Sequence, residues 1–474
     1  MDWNQLLCSR RRKPITAGSS AAGGRDLRTE YEKDYQKIIG SASFRRLQDK
    51  TQVFPLDKSD FIRTRLTHSL EVSSFARSLG QNIGKNLLAA RKDSTFTWRT
   101  VEDMCNVLQC AGLIHDIGNP PFGHFGETAI RQWFRERLPE MMFFDRRVDN
   151  MLSEQMKQDF YQFEGNAQAL RLVSKLHFFS DEYGMNLTYA LLSTILKYPI
   201  SSLETAPGVE DIKYKKMGYF YADREVFQEI QEATGTHGCR NPMTFILEAA
   251  DDIAYKTADI EDAVKKGCIT YGMLERELGR LNKQSPVWVI NYFDPLEELR
   301  HHYRKALDRD YGNPEFYAVQ NWAMNVQSYL IKCATHGFIS HYDEIMNGTY
   351  GKDLFCGTYA EGLMEAMGSI AYHNAFISEP IYKLELSAGH MLEFLLDKFV
   401  KAAIYFDTDK ELGTIDEKVV TLISENYVER YYMDSKGKTE EEKLYLRILL
   451  VTDLVCGMTD SYAKSLYQEL NGII

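Results

Sequence analysis

The stretch LIHDIGNPPFGHFGE, residues 113–127, places four titratable side chains among apolar residues, prolines and glycines. The apolar residues before it recur at intervals of three and four and lead to His115, so they predict a helix with His115 on its buried face. The proline pair at 120–121 must end that helix. Consecutive helical residues diverge by about 100°, so His115 and Asp116 can reach one ion only from a terminal turn. The segment therefore predicts a helix end that presents polar groups to the protein interior.

Two further segments predict helices with a polar group on the buried face. His68 begins an apolar stripe in RLTHSLEVSSFARSLG, and Asp251 belongs to a stripe of the same spacing in TFILEAADDIAYKTADIEDAV. Each histidine alone is more typical of a hydrogen-bonded core residue. A buried charge is costly unless it is paired or binds a metal. Together His68, His115, Asp116 and Asp251 form a set suited to Mn, Fe, Co, Ni, Zn or, more weakly, Mg.

The rest of the chain predicts an all-α protein with at most a small β-hairpin. The 12 prolines fall between periodic helical segments, and only TQVFP (51–55) and GYFYADREVF (218–227) resemble strands. We expect AGSSAAGG, residues 17–24, to be flexible and the chain to form a single domain over 1–474. The eight cysteines include no CxxC pair, and no apolar run is long enough to cross a membrane. These features predict a cytoplasmic protein.

Positive charge is concentrated near the N-terminus of an acidic chain. Residues 1–77 carry a formal net charge of +6, whereas the whole chain carries −11. Most such charges belong to solvated helix faces. An arginine-rich segment in an otherwise acidic protein nevertheless favours a phosphate ligand over general affinity for nucleic acid.

Several blocks of the sequence resemble a known enzyme family. His68, His115-Asp116 and Asp251 match the H...HD...D metal signature of the HD-domain phosphohydrolases. SFRRLQDKTQVFPL, RTRLTHSLEV, HDIGNPPFGHFGE, FEGNAQALRLV, ILKYP and EAADDIAYKTADIEDAV resemble the blocks of the bacterial deoxyguanosinetriphosphate triphosphohydrolases, the dGTPases. The resemblance implies an HD-domain fold with its core at about 43–264 and a helical C-terminal extension. It also implies hydrolysis of dGTP at the α-phosphate to deoxyguanosine and tripolyphosphate, with one divalent metal, Mn or Mg first among the candidates.

A histidine and an acid beyond the metal set are candidates for proton transfer. His124 follows His115 by nine residues, and Glu127 can reach its ring if a helix begins there. An imidazole oriented by a carboxylate suits proton transfer near neutral pH. By resemblance, His124 and Glu127 match the catalytic histidine and its acidic partner; the alternative is a loop histidine that bonds the backbone. Many HD hydrolases carry another histidine where this chain has Asn119.

Candidate substrate residues surround this set. Tyr255 and Asp259 lie one and two turns beyond Asp251 on the same side of the predicted helix. The resemblance implies that the tyrosine packs on the deoxyribose, which would exclude a 2'-hydroxyl, and that the aspartate bonds the 3'-hydroxyl. Arg65 lies one turn before His68 and is placed for a phosphate. By resemblance, further contacts to the triphosphate, the sugar and, for the last residue, guanine are Lys197, Tyr198, Lys216, Asn166, Gln52, Val53 and Glu385.

Other functions stay open at this point. The chain could be a less selective dNTP triphosphohydrolase, another HD phosphomonoesterase, or a regulator that binds nucleotides or single-stranded DNA. Its 28 tyrosines and 25 phenylalanines permit strand binding but are not interleaved with basic residues as a stacking surface requires. The resemblance also implies a symmetric homo-oligomer, often a hexamer. Single-stranded DNA is a further candidate, as an effector.

Overall fold

Helices make up most of the structure, a computed structural model that describes residues 1–13, 26–54, 56, 62–178, 181–284, 293–358, 360–377 and 379–473. The helices of the N-terminal half are α1 Trp3–Leu6, α2 Glu30–Gly40, α3 Ala42–Arg46, α4 Arg65–Ala90, α5 Trp98–Ile114, α6 Gly123–Arg137, α7 Val148–Met151, α8 Glu154–Tyr161, α9 Gly165–Arg171, α10 Tyr189–Ile195, α11 Arg224–Thr234 and α12 Pro242–Lys265. Those of the C-terminal half are α13 Tyr271–Gln284, α14 Pro295–Asp308, α15 Pro314–Ser340, α16 Tyr342–Asn347, α17 Glu361–Ala371, α18 Glu379–Ala403, α19 Thr414–Thr421, α20 Glu425–Asp434, α21 Glu440–Gly457 and α22 Asp460–Leu470. The prediction of an all-α fold is confirmed.

The one described sheet is a small hairpin, at a position other than those predicted. Strands β1 Met142–Phe143 and β2 Arg146–Arg147 pair antiparallel. The prediction of strands at 51–55 and 218–227 was wrong. Thr51 forms only an isolated bridge with Thr64, and residue 55 lies outside the described residues. In the second segment the Tyr221 N–H donates to the Asp159 carboxylate at 2.6 Å instead of to a strand, and α11 begins three residues later.

Glycines allow α4 and α5 to approach closely. A Cβ at Gly112 would lie 2.5 Å from Ser73 Cα, and one at Gly80 would lie 2.6 Å from the Leu108 side chain. At Gly112 the neighbour is backbone, so a larger residue would shift the neighbouring helix, whereas at Gly80 the Leu108 side chain would have to move. The absence of side chains at these positions therefore brings the end of α5 against the start of α4.

Two clusters of buried apolar side chains form the interior. The first apolar cluster contains residues of α4, α5, α10, α12 and α15, and the second contains residues of α6, α8, α18, α21 and α22. Ile117 belongs to the first cluster and Phe122 to the second, so the chain passes between them within five residues. His115 and Asp116 lie directly before this stretch, and His124 and Glu127 lie directly after it.

Domain organisation and membrane spans were also predicted from the sequence. The single domain over 1–474 stays a prediction, and the predicted flexible segment 17–24 lies outside the described residues. Of the helices in the described part of the chain, none combines the length and the apolar character needed to cross a membrane.

Candidate metal centre and proton-transfer pair

The first two histidines meet where the beginning of α4 lies beside the end of α5. His68 is buried in the first turn of α4, whose start is fixed by a capping box between Thr64 and Thr67. Helix α5 ends at Ile114, before the proline pair, and buried His115 is its C-terminal capping residue. The two imidazole rings lie 5.3 Å apart between centroids. The predicted helix end with an inward histidine is therefore present.

Asp251 of α12 completes a three-residue cluster. Its Oδ1 lies 3.1 Å from His68 Nε2 and 3.3 Å from His115 Nε2. One ligand atom from each residue lies within 4.8 Å of the other two. The Nδ1 of His115 lies 2.8 Å from the Gly112 carbonyl oxygen, which accepts its hydrogen. This bond leaves the Nε2 lone pair on the cluster side, where this atom makes no hydrogen bond with the described residues.

Asp116 borders the cluster and contacts Arg65. Its Oδ1 lies 3.6 Å from His115 Nε2, while its Oδ2 accepts from the Arg65 guanidinium. Arg65 is also close to the start of α6, because a Cβ at Gly123 would lie 2.4 Å from its Nη2. Gly123 has φ +60°, so glycine is favoured there on both counts. Arg65 therefore fills the space between the cluster and α6.

Neighbouring positive groups lower the pKa of the two carboxylates, Asp251 and Asp116. Burial opposes ionisation of Asp251, but Lys197 Nζ at 2.9 Å and His115 outweigh it and keep the pKa of Asp251 well below its usual range. Burial likewise opposes the charge on Asp116, whose pKa is nevertheless lowered by His115 and Arg65. The two carboxylates in turn raise the pKa of His115 although burial acts against it. The positive charges of Lys197 and Arg65 thus offset the negative charges of the two buried carboxylates.

The donor atoms of the cluster fit a divalent cation. Two imidazole nitrogens and carboxylate oxygens converge, and the buried His115 Nε2 has no hydrogen-bond partner among the described residues. The other nitrogen of His115 is fixed by a backbone carbonyl, as is usual for a histidine that binds a metal. Mixed nitrogen and oxygen ligands suit several first-row divalent metals and do not single one out.

His124 and Glu127 form a pair in the first turns of α6. The His124 Nδ1 lies 3.1 Å from Glu127 Oε2. The His124 side chain is 75% exposed, whereas that of Glu127 is 2% exposed. Burial opposes ionisation of Glu127, but the hydrogen bond to His124 and the charges of Lys216 and Arg131 lower its pKa to about 2. The pair thus presents an accessible imidazole on a fixed, charged carboxylate.

A second buried carboxylate, Glu164, supports this pair. Arg131 lies 3.2 Å from both Glu127 and Glu164, and the Gly165 N–H donates to Glu127 Oε1 at 2.8 Å. Two predicted substrate residues contact Glu164: Lys216 at 2.9 Å and Asn166 at 2.7 Å. Sequence reasoning missed Glu164 and Arg131. The spacing of four between residues 127 and 131 could have indicated the arginine.

Tyr255 and Asp259 lie together along α12, as predicted. The two residues lie one turn apart on this helix, and Asp259 Oδ2 is buried without a hydrogen-bond partner among the described residues. Burial and Asp259 raise the pKa of Tyr255 above its usual range, and burial and Asp262 do the same for Asp259. Tyr198, next to Lys197, is buried with its pKa raised to about 12, chiefly by that burial.

The other three candidates are not joined to this set by described contacts. Gln52 and Val53 are half-buried, and Gln52 Oε1 has no hydrogen-bond partner in the described part of the chain. Glu385 is half-buried on α18 and forms no hydrogen bond or ion pair with the described residues. The same helix carries Gly389, which lies against the Phe125 ring at the start of α6.

Part of the chain matches the model of a known protein family. The model of the HD domain matches residues 65–205, which contain the two histidines, Asp116 and the pair on α6. Helical architecture and a His-His-Asp cluster agree with that match. The protein therefore contains an HD domain, and its His68–His115–Asp251 cluster suggests a divalent metal.

Its family follows from full-length relatives. Deoxyguanosinetriphosphate triphosphohydrolase-like proteins of Listeria monocytogenes and Listeria innocua are each 45% identical to it over 100% of both chains. The deoxyguanosinetriphosphate triphosphohydrolase of Yersinia pestis is 30% identical over 99% of both chains. The chain belongs to the deoxyguanosinetriphosphate triphosphohydrolase family, and the resemblance stated from its sequence blocks is confirmed.

Proposed function

We propose that this protein hydrolyses dGTP at the α-phosphate and releases deoxyguanosine and tripolyphosphate. The observation that carries the proposal is the His68–His115–Asp251 cluster together with the His124–Glu127 pair. A stretch of eight residues joins His115 to His124. In this reaction water adds to the α-phosphorus, the bond to the 5'-oxygen breaks, and that oxygen takes up a proton. Such a step needs positive charge at the phosphate and a proton donor for the leaving oxygen.

The cluster would hold the metal through His68, His115, Asp116 and Asp251, with Mn or Mg as the first candidates. A bound divalent cation would supply positive charge beside the phosphate and acidify a coordinated water. Asp116 would exchange its contact with Arg65 for the metal, which would free the guanidinium for a phosphate oxygen.

His124, oriented by Glu127, would donate the proton to the leaving 5'-oxygen. His124 is exposed enough to face a substrate, and Glu127 holds its Nδ1 side so that Nε2 is left for the 5'-oxygen. Glu127 is itself held by the Gly165 N–H and by Arg131. A fixed carboxylate orients the imidazole towards the leaving oxygen, to which its ring nitrogen would donate the proton.

Two lysine side chains that are already paired with acids would bind the triphosphate. Lys197 and Lys216 are paired with Asp251 and Glu164, and burial opposes but does not overcome the rise in pKa that these acids cause. Both lysines therefore keep their charge at neutral pH. Tyr198 lies beside Lys197, and Asn166 shares Glu164 with Lys216.

Tyr255 and Asp259 would recognise the sugar. The Tyr255 ring could pack under C2' and leave no room for a 2'-hydroxyl, and the neighbouring Asp259 could accept from the 3'-hydroxyl. Gln52 and Val53 would contact the sugar region, and Glu385 would contact guanine.

The test is incubation of the purified protein with each of the four dNTPs and with GTP, in Mg and in Mn. Anion-exchange chromatography separates phosphate, pyrophosphate and tripolyphosphate. We expect tripolyphosphate from dGTP alone. Tripolyphosphate from all four dNTPs would replace the guanine specificity with a general dNTP activity, and none from any would contradict the proposed reaction.

Assembly and regulation are further proposals. A homo-oligomer, a hexamer by resemblance, is checked by sedimentation velocity of the purified chain. Single-stranded DNA as an effector is checked by adding an oligonucleotide to the same hydrolysis assay. The cytoplasmic location stays a prediction.

A further inference from the structure

The turn before His124 has an unusual backbone conformation that its own residues do not stabilise. Phe122 has φ +63° and Gly123 φ +60°, so two consecutive residues are left-handed directly before α6. Phe122 is the N-terminal capping residue of α6 and offers no side-chain hydrogen bond to the helix. A left-handed conformation is unfavourable for phenylalanine and persists only when the surrounding structure holds it.

Asp460, at the start of α22, contacts this turn from the far end of the chain. Its Oδ1 accepts from the Phe122 N–H at 2.9 Å, and its Oδ2 accepts from the Thr51 N–H at 2.9 Å and from the Thr51 hydroxyl. Asp460 is buried and forms no ion pair with any described cation. One carboxylate oxygen therefore fixes the left-handed residue Phe122, and the other fixes the segment before α4.

Lys50 holds the other end of the same turn. Its Nζ donates to the Asn119 carbonyl at 2.6 Å and to the Cys456 carbonyl near the end of α21 at 2.7 Å. The side chain is buried, no described carboxylate pairs with it, and burial lowers its pKa to about 8. A buried lysine that bonds only backbone carbonyls serves to fix those carbonyls.

We propose that Lys50 and Asp460 are positioning residues, which use α21 and α22 to hold the 119–122 turn and so set the place of His124 relative to the metal cluster. The inference rests on the proposed role of His124 and deepens it. The metal ligands are fixed by α4, α5 and α12, whereas α6 packs in the second apolar cluster. The turn is the covalent link between the two, so its conformation decides the distance across the site.

The matched control for Asp460 is its neighbour Ser461. The Ser461 hydroxyl donates to Asp49 at 2.8 Å on the exposed surface, so it joins the same two segments of the chain without contacting the turn. The variants to compare with the wild type are therefore Asp460→Ala, Asp460→Asn and Ser461→Ala, in the full-length protein.

For each variant we would measure bound Mn after dialysis, kcat and KM for the triphosphate that the wild type hydrolyses, and the histidine side-chain NMR spectrum. The His124 signal is assigned by its absence in His124→Ala. We expect Asp460→Ala to keep its metal and KM but to lower kcat roughly 10- to 100-fold, because small displacements of a catalytic group are costly. Its His124 signal should shift, whereas Ser461→Ala should match the wild type.

Asp460→Asn tests the contact more gently. Its single carbonyl oxygen can still accept from the Phe122 N–H but not from Thr51 at the same time, so kcat should fall less than in the alanine variant. If the alanine variant does not fold, a lowered kcat with full metal content in Asp460→Asn supports the inference. Wild-type kcat in that variant, or a loss of metal that accounts for the lost activity, overturns it.

A failure of the proposed function would be seen separately. If the wild type hydrolyses no nucleoside triphosphate, the proposed reaction fails, but the NMR spectrum still decides the positioning role. A His124 signal that shifts in Asp460→Ala while the buried histidines keep theirs supports the inference, and an unchanged His124 signal overturns it.

Discussion

His115 and His124 are nine residues apart in sequence and differ in nearly every physical respect. His115 is buried, follows a long helix and contacts two carboxylates and the Gly112 carbonyl. His124 is mostly exposed, begins a helix and contacts one carboxylate. The first belongs to the side of the site built on the first apolar cluster, and the second to the side built on the second.

The difference separates two tasks. A cluster that compensates its own charges inside a packed core can hold a cation in a fixed place, because the helices around it cannot easily move. An exposed imidazole on a buried acid can meet a substrate and exchange protons with it. The comparison predicts that variants on the two sides will fail differently.

The largest effect is expected for His115→Ala. Removing this ligand leaves Asp251 and Asp116 without their shared partner, so metal binding and turnover should be lost together, turnover by roughly a thousandfold or more. Elemental analysis after dialysis and the hydrolysis assay check both. A variant that turns over without its metal would contradict the division between the two sides.

The next largest effect is expected for His124→Ala, which should keep the metal and lose turnover by about 10²- to 10⁴-fold. His341 offers a matched control, since its Nδ1 lies 3.1 Å from Glu344 at the same spacing of three residues. His341→Ala should leave kcat and metal content unchanged. Equal losses in the two variants would show that the effect of His124 is general and not catalytic.

A smaller effect, with a pH dependence, is expected for Glu127→Gln. Because the folded pKa of Glu127 is lowered from 4.5 to about 2, its charge stabilises the fold above the ordinary carboxyl range. That contribution, up to about 3 kcal/mol, is lost as the pH falls from about 4.5 towards 2. Urea unfolding at pH 7 and pH 3.5 should show the variant less stable at pH 7 and closer to the wild type at pH 3.5.

The matched control for that variant is Glu344→Gln, the acid of the exposed pair. It should change neither the free energy of unfolding nor kcat, whereas Glu127→Gln should lower kcat about tenfold because the imidazole loses its fixed partner. A destabilisation by Glu127→Gln that is the same at both pH values would contradict an electrostatic origin.

The smallest effect is expected for Tyr255→Phe. The ring remains to exclude a 2'-hydroxyl, and only the phenolic hydroxyl beside Asp259 is lost, so kcat/KM for dGTP should fall roughly threefold. The preference for dGTP over GTP should be retained, which competition kinetics can measure. Tyr350→Phe, which removes a hydrogen bond to the Asp353 carbonyl elsewhere, should leave both values unchanged.

Periodicity was sufficient to predict the orientation of the three cluster residues. The spacing of apolar residues fixes which face of a helix is buried, so the inward orientation of His68, His115 and Asp251 followed from local pattern. The sequence shows a glycine at position 112, where α5 packs against α4. The contact with Ser73 that requires this glycine is not local, so the sequence alone does not reveal it. Short strand-like segments were misread, because the bonds that replace strand pairing, such as that from Tyr221 to Asp159, come from elsewhere in the chain.

The sequence by itself predicted that this is a helical protein, that His68, His115 and Asp251 face the interior and that Glu127 can reach the His124 ring, because these depend on spacing within single helices. Only the tertiary structure decided what surrounds them. Glu164 and Arg131 support the pair across two helices, and Asp460 holds Phe122 across 338 residues of sequence. No local pattern predicts a left-handed phenylalanine, since the hydrogen bond that stabilises it exists only after the helices have packed.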